Sequence, residues 1–182
     1  MMNVAVFLAE GFEEIEAISI IDVLRRGEAN VDTISISNSV CVEGGHRITV
    51  KADKLFSGTQ FEDYDMLILP GGMPGTTNLG KHEQLCKLLV EFNEKGKKIG
   101  AICAAPIVLG KLGILDNKEA TCYPGYEDQL KGCVVVNSDI VTSSNIITGK
   151  GAGVAILFTL ELLKLSKDHD YVEALKKKLI LK

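Results

Sequence analysis

Cys103 stands where an apolar run gives way to small residues and a proline, and it is the residue best placed for nucleophilic chemistry. Residues 98–102 (KIGAI) are largely apolar on both faces, which is typical of a strand buried in a parallel sheet. Pro106 then begins a segment with helical spacing, and proline is tolerated in the first turn of a helix. The pattern predicts a strand, a sharp turn at Cys103 and a helix.

A thiol on such a strand–turn–helix corner lies at the positive end of a helix, which favours thiolate over thiol. The same local geometry presents the nucleophile of serine hydrolases. The alternative is an inert cysteine, buried and packed like a small apolar residue. Ala104 and Ala105 leave space for a ligand beside the sulfur, but the residues alone leave both interpretations open.

Gly71 and Gly72 follow another apolar run and can bring backbone N–H groups close to a ligand. Together with the Ala104 N–H, they are candidate donors to an oxyanion formed when Cys103 attacks a carbonyl. The alternative for two glycines taken alone is an ordinary turn that ends a strand.

The acidic residues Glu13, Glu14 and Glu16 precede a helical pattern, and such residues usually form a solvated first turn. Helical spacing puts Glu16 at the margin of the apolar stripe and Glu13 nearer its centre, so spacing does not choose between them. A carboxyl group close to a thiolate would share one proton with it.

The composition of the 182-residue chain favours one soluble domain, residues 1–182, with 46% hydrophobic residues. A net charge of −4 without a basic stripe argues against nucleic acid as a partner. No apolar run approaches the ~18 residues that cross a membrane, and the apolar start has no basic segment of a signal peptide. Five scattered cysteines without nearby histidines at metal spacing predict no metal site, reduced thiols and a cytoplasmic location.

Apolar periodicity predicts strands alternating with helices. The expected strands are 3–9, 31–37, 66–69, 98–102, 120–123, 133–137, 140–143 and 146–148, with a hairpin at 40–50. The expected helices, besides the one after Cys103, are 13–26, 83–94, 153–165 and 169–179. This alternation indicates an α/β fold with a mostly parallel sheet covered on both faces. Ligands bind such folds beyond the carboxyl ends of the strands, where loops 10–16, 70–75 and 103–106 should meet.

The order and spacing of Glu16, the segment 69–72 (LPGG) and the segment 101–106 (AICAAP) resemble the ThiJ/PfpI superfamily, in the branch of the Parkinson-disease deglycase and its bacterial relatives. The resemblance extends over essentially the whole chain. It implies a flavodoxin-like three-layer sandwich, a homodimer and no cofactor. It also implies that Cys103 is the reactive, peroxide-sensitive cysteine and that Glu16 is the protonated glutamate bonded to its sulfur.

The sequence departs from the family pattern at positions near the predicted site. Ala104 occupies the place of the histidine that follows the cysteine in the protease-like branch, which excludes a Cys-His protease pair. Tyr123 occupies the place of a pocket histidine in the deglycase and is expected to line the pocket with Gly71. His46 lies within a residue of a family arginine near the pocket.

Together with these residues, the resemblance implies a cofactor-free cysteine enzyme that acts on small α-oxoaldehydes such as methylglyoxal. Cys103 would be the nucleophile, Glu16 the proton relay, and Gly72 and Ala104 the oxyanion donors. The competing hypothesis is a redox sensor or stress-response protein in which peroxide oxidises Cys103 and turnover is incidental. A third hypothesis is a scaffold with an inert Cys103.

Overall fold

The computed structural model describes residues 1–181, and its centre is a seven-stranded sheet. The sheet strands are β1 Asn3–Leu8, β2 Asn30–Ser35, β5 Lys54–Leu55, β6 Met66–Leu69, β7 Lys98–Ile102, β10 Ile140–Ser143 and β11 Ile146–Gly149. Their order across the sheet is β10-β11-β7-β6-β1-β2-β5, and all neighbours are parallel except the antiparallel pair β10 and β11. A hairpin of β3 Cys41–Glu43 and β4 Thr49–Lys51 and a parallel pair of β8 Glu119–Ala120 and β9 Val134–Val135 lie outside it.

Helices cover both faces of the sheet. They are α1 Glu14–Arg26, α2 Gly75–Lys81, α3 Glu83–Glu94, α4 Pro106–Lys111, α5 Ala155–Leu163 and α6 His169–Lys178. Side chains alternate along each strand, so Val4 and Val6 pack with α1, α5 and α6, whereas Ala5 and Phe7 pack with α2, α3 and α4. The chain is therefore a three-layer, flavodoxin-like α/β sandwich with two apolar cores, which confirms the predicted fold class.

Several of the predicted elements match the structure closely. The bounds of β6, β7, β10 and α3 agree with the prediction, and the 40–50 hairpin is present. The predicted strands at 120–123 and 133–137 are each two residues long, and the prediction did not include α2 or β5. Their sequences explain this: α2 (GTTNLGK) contains two glycines and two threonines, which weaken any helical pattern. No helix among residues 1–181 has the length and apolar character to span a bilayer.

Candidate active site

Cys103 lies on the predicted corner between β7 and α4, at the carboxyl end of the central sheet. Its backbone has φ +63°, a strained region for a residue with a side chain. Its N–H donates to the carbonyl of Gly149 at 2.9 Å, which fixes the corner to the end of β11. The side chain is partly buried and remains in part accessible. The chain thus presents the sulfur on a constrained turn beside the first turn of a helix.

Gly71, two residues after the end of β6, is where the three predicted loops meet, and Gly71, Glu16 and Cys103 form what we call the Gly71 cluster. A Cβ atom built on Gly71 would lie 2.6 Å from Cβ of Cys103 and 2.8 Å from Oε2 of Glu16. Both distances are shorter than real side-chain contacts, so only glycine lets the cysteine and the glutamate approach the same backbone. The Gly71 carbonyl also accepts a hydrogen bond of 3.0 Å from the N–H of Glu13.

Glu16 is the carboxyl group that the fold brings to Cys103. Glu16 is 0% exposed, and its Oε2 accepts a hydrogen bond of 2.8 Å from the Gly71 N–H. Its other oxygen, Oε1, has no oxygen or nitrogen partner among the described residues. Glu13 instead turns its carboxylate toward the His46 ring, at 3.8 Å. The structure therefore selects Glu16, where spacing had left Glu13 as an alternative.

Glu16 and Cys103 titrate as a coupled pair. Burial raises the pKa of Glu16 to about 7, although hydrogen bonds with Gly71 and Cys103 act to lower it. Burial and the Glu16 carboxylate raise the pKa of Cys103 to about 12. This differs from the expectation of a lowered thiol pKa, because a negative charge on either group opposes ionisation of the other. Between about pH 7 and about pH 12 the pair therefore holds one proton and one negative charge.

Backbone N–H groups surround the sulfur. Those of Gly72 and Ala104 face Cys103 and act to lower its pKa, against the larger effects of burial and Glu16. Gly72 has φ +91°, and a Cβ there would lie 2.4 Å from the backbone nitrogen of Glu13. The Gly71 N–H is already bonded to Glu16. Gly72 and Ala104 therefore stay the candidate donors to an anion at the sulfur.

Tyr123 lies beside the same corner. Its N–H donates to the carbonyl of Cys103 at 2.8 Å, and its side chain is half exposed. Among residues 1–181, no histidine takes the place of the family histidine beside Cys103. His82 caps α3, His169 begins α6, and His46 contacts Glu14.

Glu14 and His46 form a contact that the sequence analysis missed. The Glu14 carboxylate is buried. Its Oε1 accepts a hydrogen bond of 2.6 Å from the backbone N–H of His46, and its Oε2 lies 2.8 Å from the ring nitrogen Nδ1 of the same residue. Burial opposes ionisation of Glu14, but these hydrogen bonds lower its pKa, and Glu14 in turn raises the pKa of His46. The contact holds the β3–β4 turn against the first turn of α1. A glutamate before a helix gives no signal of such a partner 32 residues away.

Glu13, Glu14 and His46 also place ligand atoms within 4.8 Å of one another, and they are the one group of three or more potential metal ligands among residues 1–181. Glu14 and His46 are already joined there by a hydrogen bond. The other four cysteines differ in burial. Cys41 is exposed, Cys86 and Cys133 are partly buried, and Cys122 is buried. Burial, Glu127 and Cys133 raise the pKa of Cys122 to about 11.

Relatives with similar sequences include proteins named for two enzyme activities. A glutathione-independent glyoxalase DJ-1 from Schizosaccharomyces pombe is 30% identical over 98% of this chain and 98% of its own length. A deglycase from Pyrococcus abyssi is 28% identical over 91% of this chain and its whole length. The chain spans only 37% and 42% of the length of two Arabidopsis thaliana DJ-1 homologues that it also matches.

A solved structure gives the same result for the fold. Oxidized DJ-1 from Toxoplasma gondii superposes with a TM-score of 0.95 at 35% identity, covering 100% of this chain and 99% of its own. The model of the DJ-1/PfpI family matches residues 2–165, which include β1 to β11 and the cluster around Gly71. With its fold, its cysteine corner and its buried glutamate, the chain belongs to the DJ-1/PfpI family.

Proposed function

We propose that this chain is a cofactor-free cysteine enzyme that converts small 2-oxoaldehydes, such as methylglyoxal, to 2-hydroxy acids. The observation that carries the proposal is the meeting of Cys103 and Glu16 on the two sides of Gly71, where the pair shares one proton near neutral pH. Relatives named glyoxalase and deglycase support a reaction at a reactive carbonyl.

The first step is addition of the Cys103 thiolate to the aldehyde carbon. The reactive form of the pair carries its proton on Glu16 and its negative charge on sulfur, which the N–H groups of Gly72 and Ala104 favour. As the carbon–sulfur bond forms, the aldehyde oxygen gains negative charge, and the same N–H groups stabilise it. Protonation of that oxygen by Glu16 gives a hemithioacetal and leaves a carboxylate.

The second step moves a proton between the two adjacent carbons of the substrate. The Glu16 carboxylate removes the proton from the former aldehyde carbon and returns it to the neighbouring carbonyl carbon, while the proton of the first hydroxyl passes to the second oxygen. The product on the enzyme is a thioester of a 2-hydroxy acid. Water then cleaves the carbon–sulfur bond, releases the hydroxy acid and restores the pair, so the overall reaction consumes one water.

Proteolysis is not part of this proposal. A cysteine protease needs an imidazole beside its thiol to activate it and to protonate the leaving amine. The residue after Cys103 is Ala104, and the titratable partner of the sulfur is the Glu16 carboxyl group.

A second candidate function, redox sensing through Cys103, rests on a separate observation. Oxidation to sulfinate adds a negative charge and two acceptor oxygens at the sulfur. The N–H groups of Gly72 and Ala104 already face that position, and the side chain is partly accessible. The two candidates differ in whether an aldehyde is consumed.

The experiment that tests the enzymatic proposal incubates the purified protein with methylglyoxal and measures loss of aldehyde together with formation of lactate. We expect lactate in proportion to aldehyde consumed, and loss of both in Cys103→Ala. The matched control is Cys41→Ala, which removes an exposed thiol outside the Gly71 cluster. Aldehyde loss without lactate, or equal lactate from Cys103→Ala, would contradict the proposal.

A further inference from the structure

We propose that the ring of Tyr123 is a specificity element that selects 2-oxoaldehydes carrying an aryl group over methylglyoxal. The inference deepens the proposed function, on which it rests, by naming the substrate class.

The backbone that carries Tyr123 is held firmly against the corner of Cys103. Besides the bond from its own N–H to the Cys103 carbonyl, Thr121 donates from its N–H to Oγ1 of Thr148 at 3.0 Å and from its hydroxyl to the Ser138 carbonyl at 2.8 Å. Cys122, which lies between Thr121 and Tyr123 in the sequence, is buried. The position of the Tyr123 Cα atom relative to the Cys103 backbone is therefore well defined.

The Tyr123 ring is supported from the protein side and open on the other. A Cβ built on Gly151 would lie 3.3 Å from Cδ2 of Tyr123, so the ring rests against the backbone of a glycine. The ring of Tyr126 lies 6.3 Å away, centroid to centroid, and is tilted by 54°. Even so, Tyr123 remains 50% exposed. An aromatic face with a fixed base and an open side suits a flat apolar ligand group.

A second half-exposed apolar side chain follows the other donor of the site. Met73 comes directly after Gly72 and is 48% exposed. A thioether is polarizable and packs well against aromatic groups. The Met73 sulfur accepts a hydrogen bond of 3.7 Å from the Thr77 hydroxyl. Tyr123 and Met73 thus add two half-exposed apolar side chains next to the backbones of Cys103 and Gly72, which favours a substrate with a reactive dicarbonyl end and an apolar, aromatic end.

Phenylglyoxal has this shape, and methylglyoxal does not. Both present the same oxoaldehyde to Cys103, and both would follow the same steps, phenylglyoxal giving mandelate with uptake of one water. Only the phenyl group can stack on Tyr123. Aromatic contacts are worth roughly 0.5–1.5 kcal/mol beyond area burial, which corresponds to a factor of about 2 to 13 in kcat/KM.

The experiment compares kcat/KM for phenylglyoxal with that for methylglyoxal in the wild type and in variants. We expect Tyr123→Leu, which keeps an apolar side chain but removes the ring, to lower the phenylglyoxal-to-methylglyoxal ratio about three- to tenfold. Tyr123→Phe keeps the ring and should retain the wild-type ratio. Tyr171→Leu, in α6, is the matched control and should leave both rates unchanged. An equal ratio in the wild type and in Tyr123→Leu would overturn the inference.

A binding measurement separates this inference from the proposed function. Mandelate and lactate, the two products, are titrated into Cys103→Ala and into Cys103→Ala with Tyr123→Leu, and their dissociation constants are measured by nuclear magnetic resonance. We expect mandelate to bind at least about threefold more tightly, and Tyr123→Leu to remove that preference. If neither aldehyde is turned over but the preference is present, the proposed reaction fails and the specificity element stands. Equal binding of the two products would overturn the specificity element.

Discussion

The N–H of Gly71 donates a 2.8 Å hydrogen bond to Oε2 of Glu16, across 55 residues of sequence. The bond occupies one carboxyl oxygen and leaves the buried Oε1 without an oxygen or nitrogen partner among residues 1–181. A buried polar oxygen without a partner costs free energy unless a proton or a ligand satisfies it. A proton shared with the Cys103 sulfur, or a hydroxyl of a bound hemithioacetal, fits this position.

Glu16→Gln is expected to lower methylglyoxal turnover by roughly 100- to 10,000-fold, the usual contribution of general acid–base catalysis. The amide still accepts from the Gly71 N–H and still donates toward sulfur, but it cannot transfer a proton. Loss of the carboxylate charge should also lower the pKa of Cys103 from about 12. The measurements are steady-state rates and a pH titration of thiolate absorbance. Glu13→Gln removes a charge three residues away and serves as the control; wild-type turnover in Glu16→Gln would refute the relay.

The pH dependence of stability should show the same carboxyl group. The pKa of Glu16 is raised from 4.5 to about 7 in the folded protein, so the folded state binds more protons than the unfolded state between these values. The contribution of protonated Glu16 to the free energy of unfolding is therefore fully present below pH 4.5 and is lost as the pH rises through about 7. The loss is on the order of 2–3 kcal/mol. Urea unfolding of the wild type and Glu16→Gln from pH 5 to pH 8 measures it, and parallel curves for the two proteins would contradict it.

Gly71→Ala is expected to disrupt the site. The new Cβ would lie 2.6 Å from Cβ of Cys103, so one of the two backbones must shift, and overpacking of this kind costs roughly 1–3 kcal/mol. Turnover should fall strongly because the distance between the cysteine and Glu16 increases. Gly153→Ala is the matched control, since nothing lies within 4 Å of a Cβ there. Unfolding midpoints and kcat for the two variants test this, and equal values for both would show that Gly71 tolerates a side chain.

Cys103 is expected to be the first of the five cysteines to reach sulfinate under limited peroxide. The N–H groups of Gly72 and Ala104 stabilise negative charge at the Cys103 sulfur, and this side chain is partly accessible to peroxide, whereas Cys122 is buried. Peptide mass spectrometry after graded oxidation decides the order. Cys41 is the stringent competitor because it is exposed; its oxidation ahead of Cys103 would count against both candidate functions.

The chain is expected to form a homodimer through the outer face of α1. Ile15, Ile18 and Ile48 are 59%, 44% and 56% exposed, and the Ile48 N–H faces Oε1 of Glu14 beside Ile15, which joins the hairpin to the helix. Exposed apolar patches of this kind mark interaction surfaces, and most soluble oligomers are twofold dimers. Light scattering should give twice the monomer mass for the wild type and the monomer mass for Ile15→Asp. Ile180→Asp is the control at another exposed isoleucine; a monomeric wild type at micromolar concentration would refute the dimer.

The sequence by itself determined the fold class and the position of Cys103 on the corner between β7 and α4. Buried parallel strands such as β6 and β7 have continuous apolar runs, and a proline shortly after such a run limits where the helix can begin, so local pattern was sufficient. The same local signals predicted that three loops meet at one edge of the sheet, because the carboxyl ends of parallel strands lie together.

Only the tertiary structure decided which groups lie next to the Cys103 sulfur and whether they raise or lower its pKa. Glu13 and Glu16 are separated by less than one helical turn, so their different surroundings depend on Gly71, which arrives from a strand 55 residues away from Glu16. Likewise, the helix beside Cys103 argued for a lowered thiol pKa, whereas burial and the nearby carboxylate raise it. Burial and the distance between charges are properties of the packed molecule. For the same reason, the sequence did not predict the contact between Glu14 and His46.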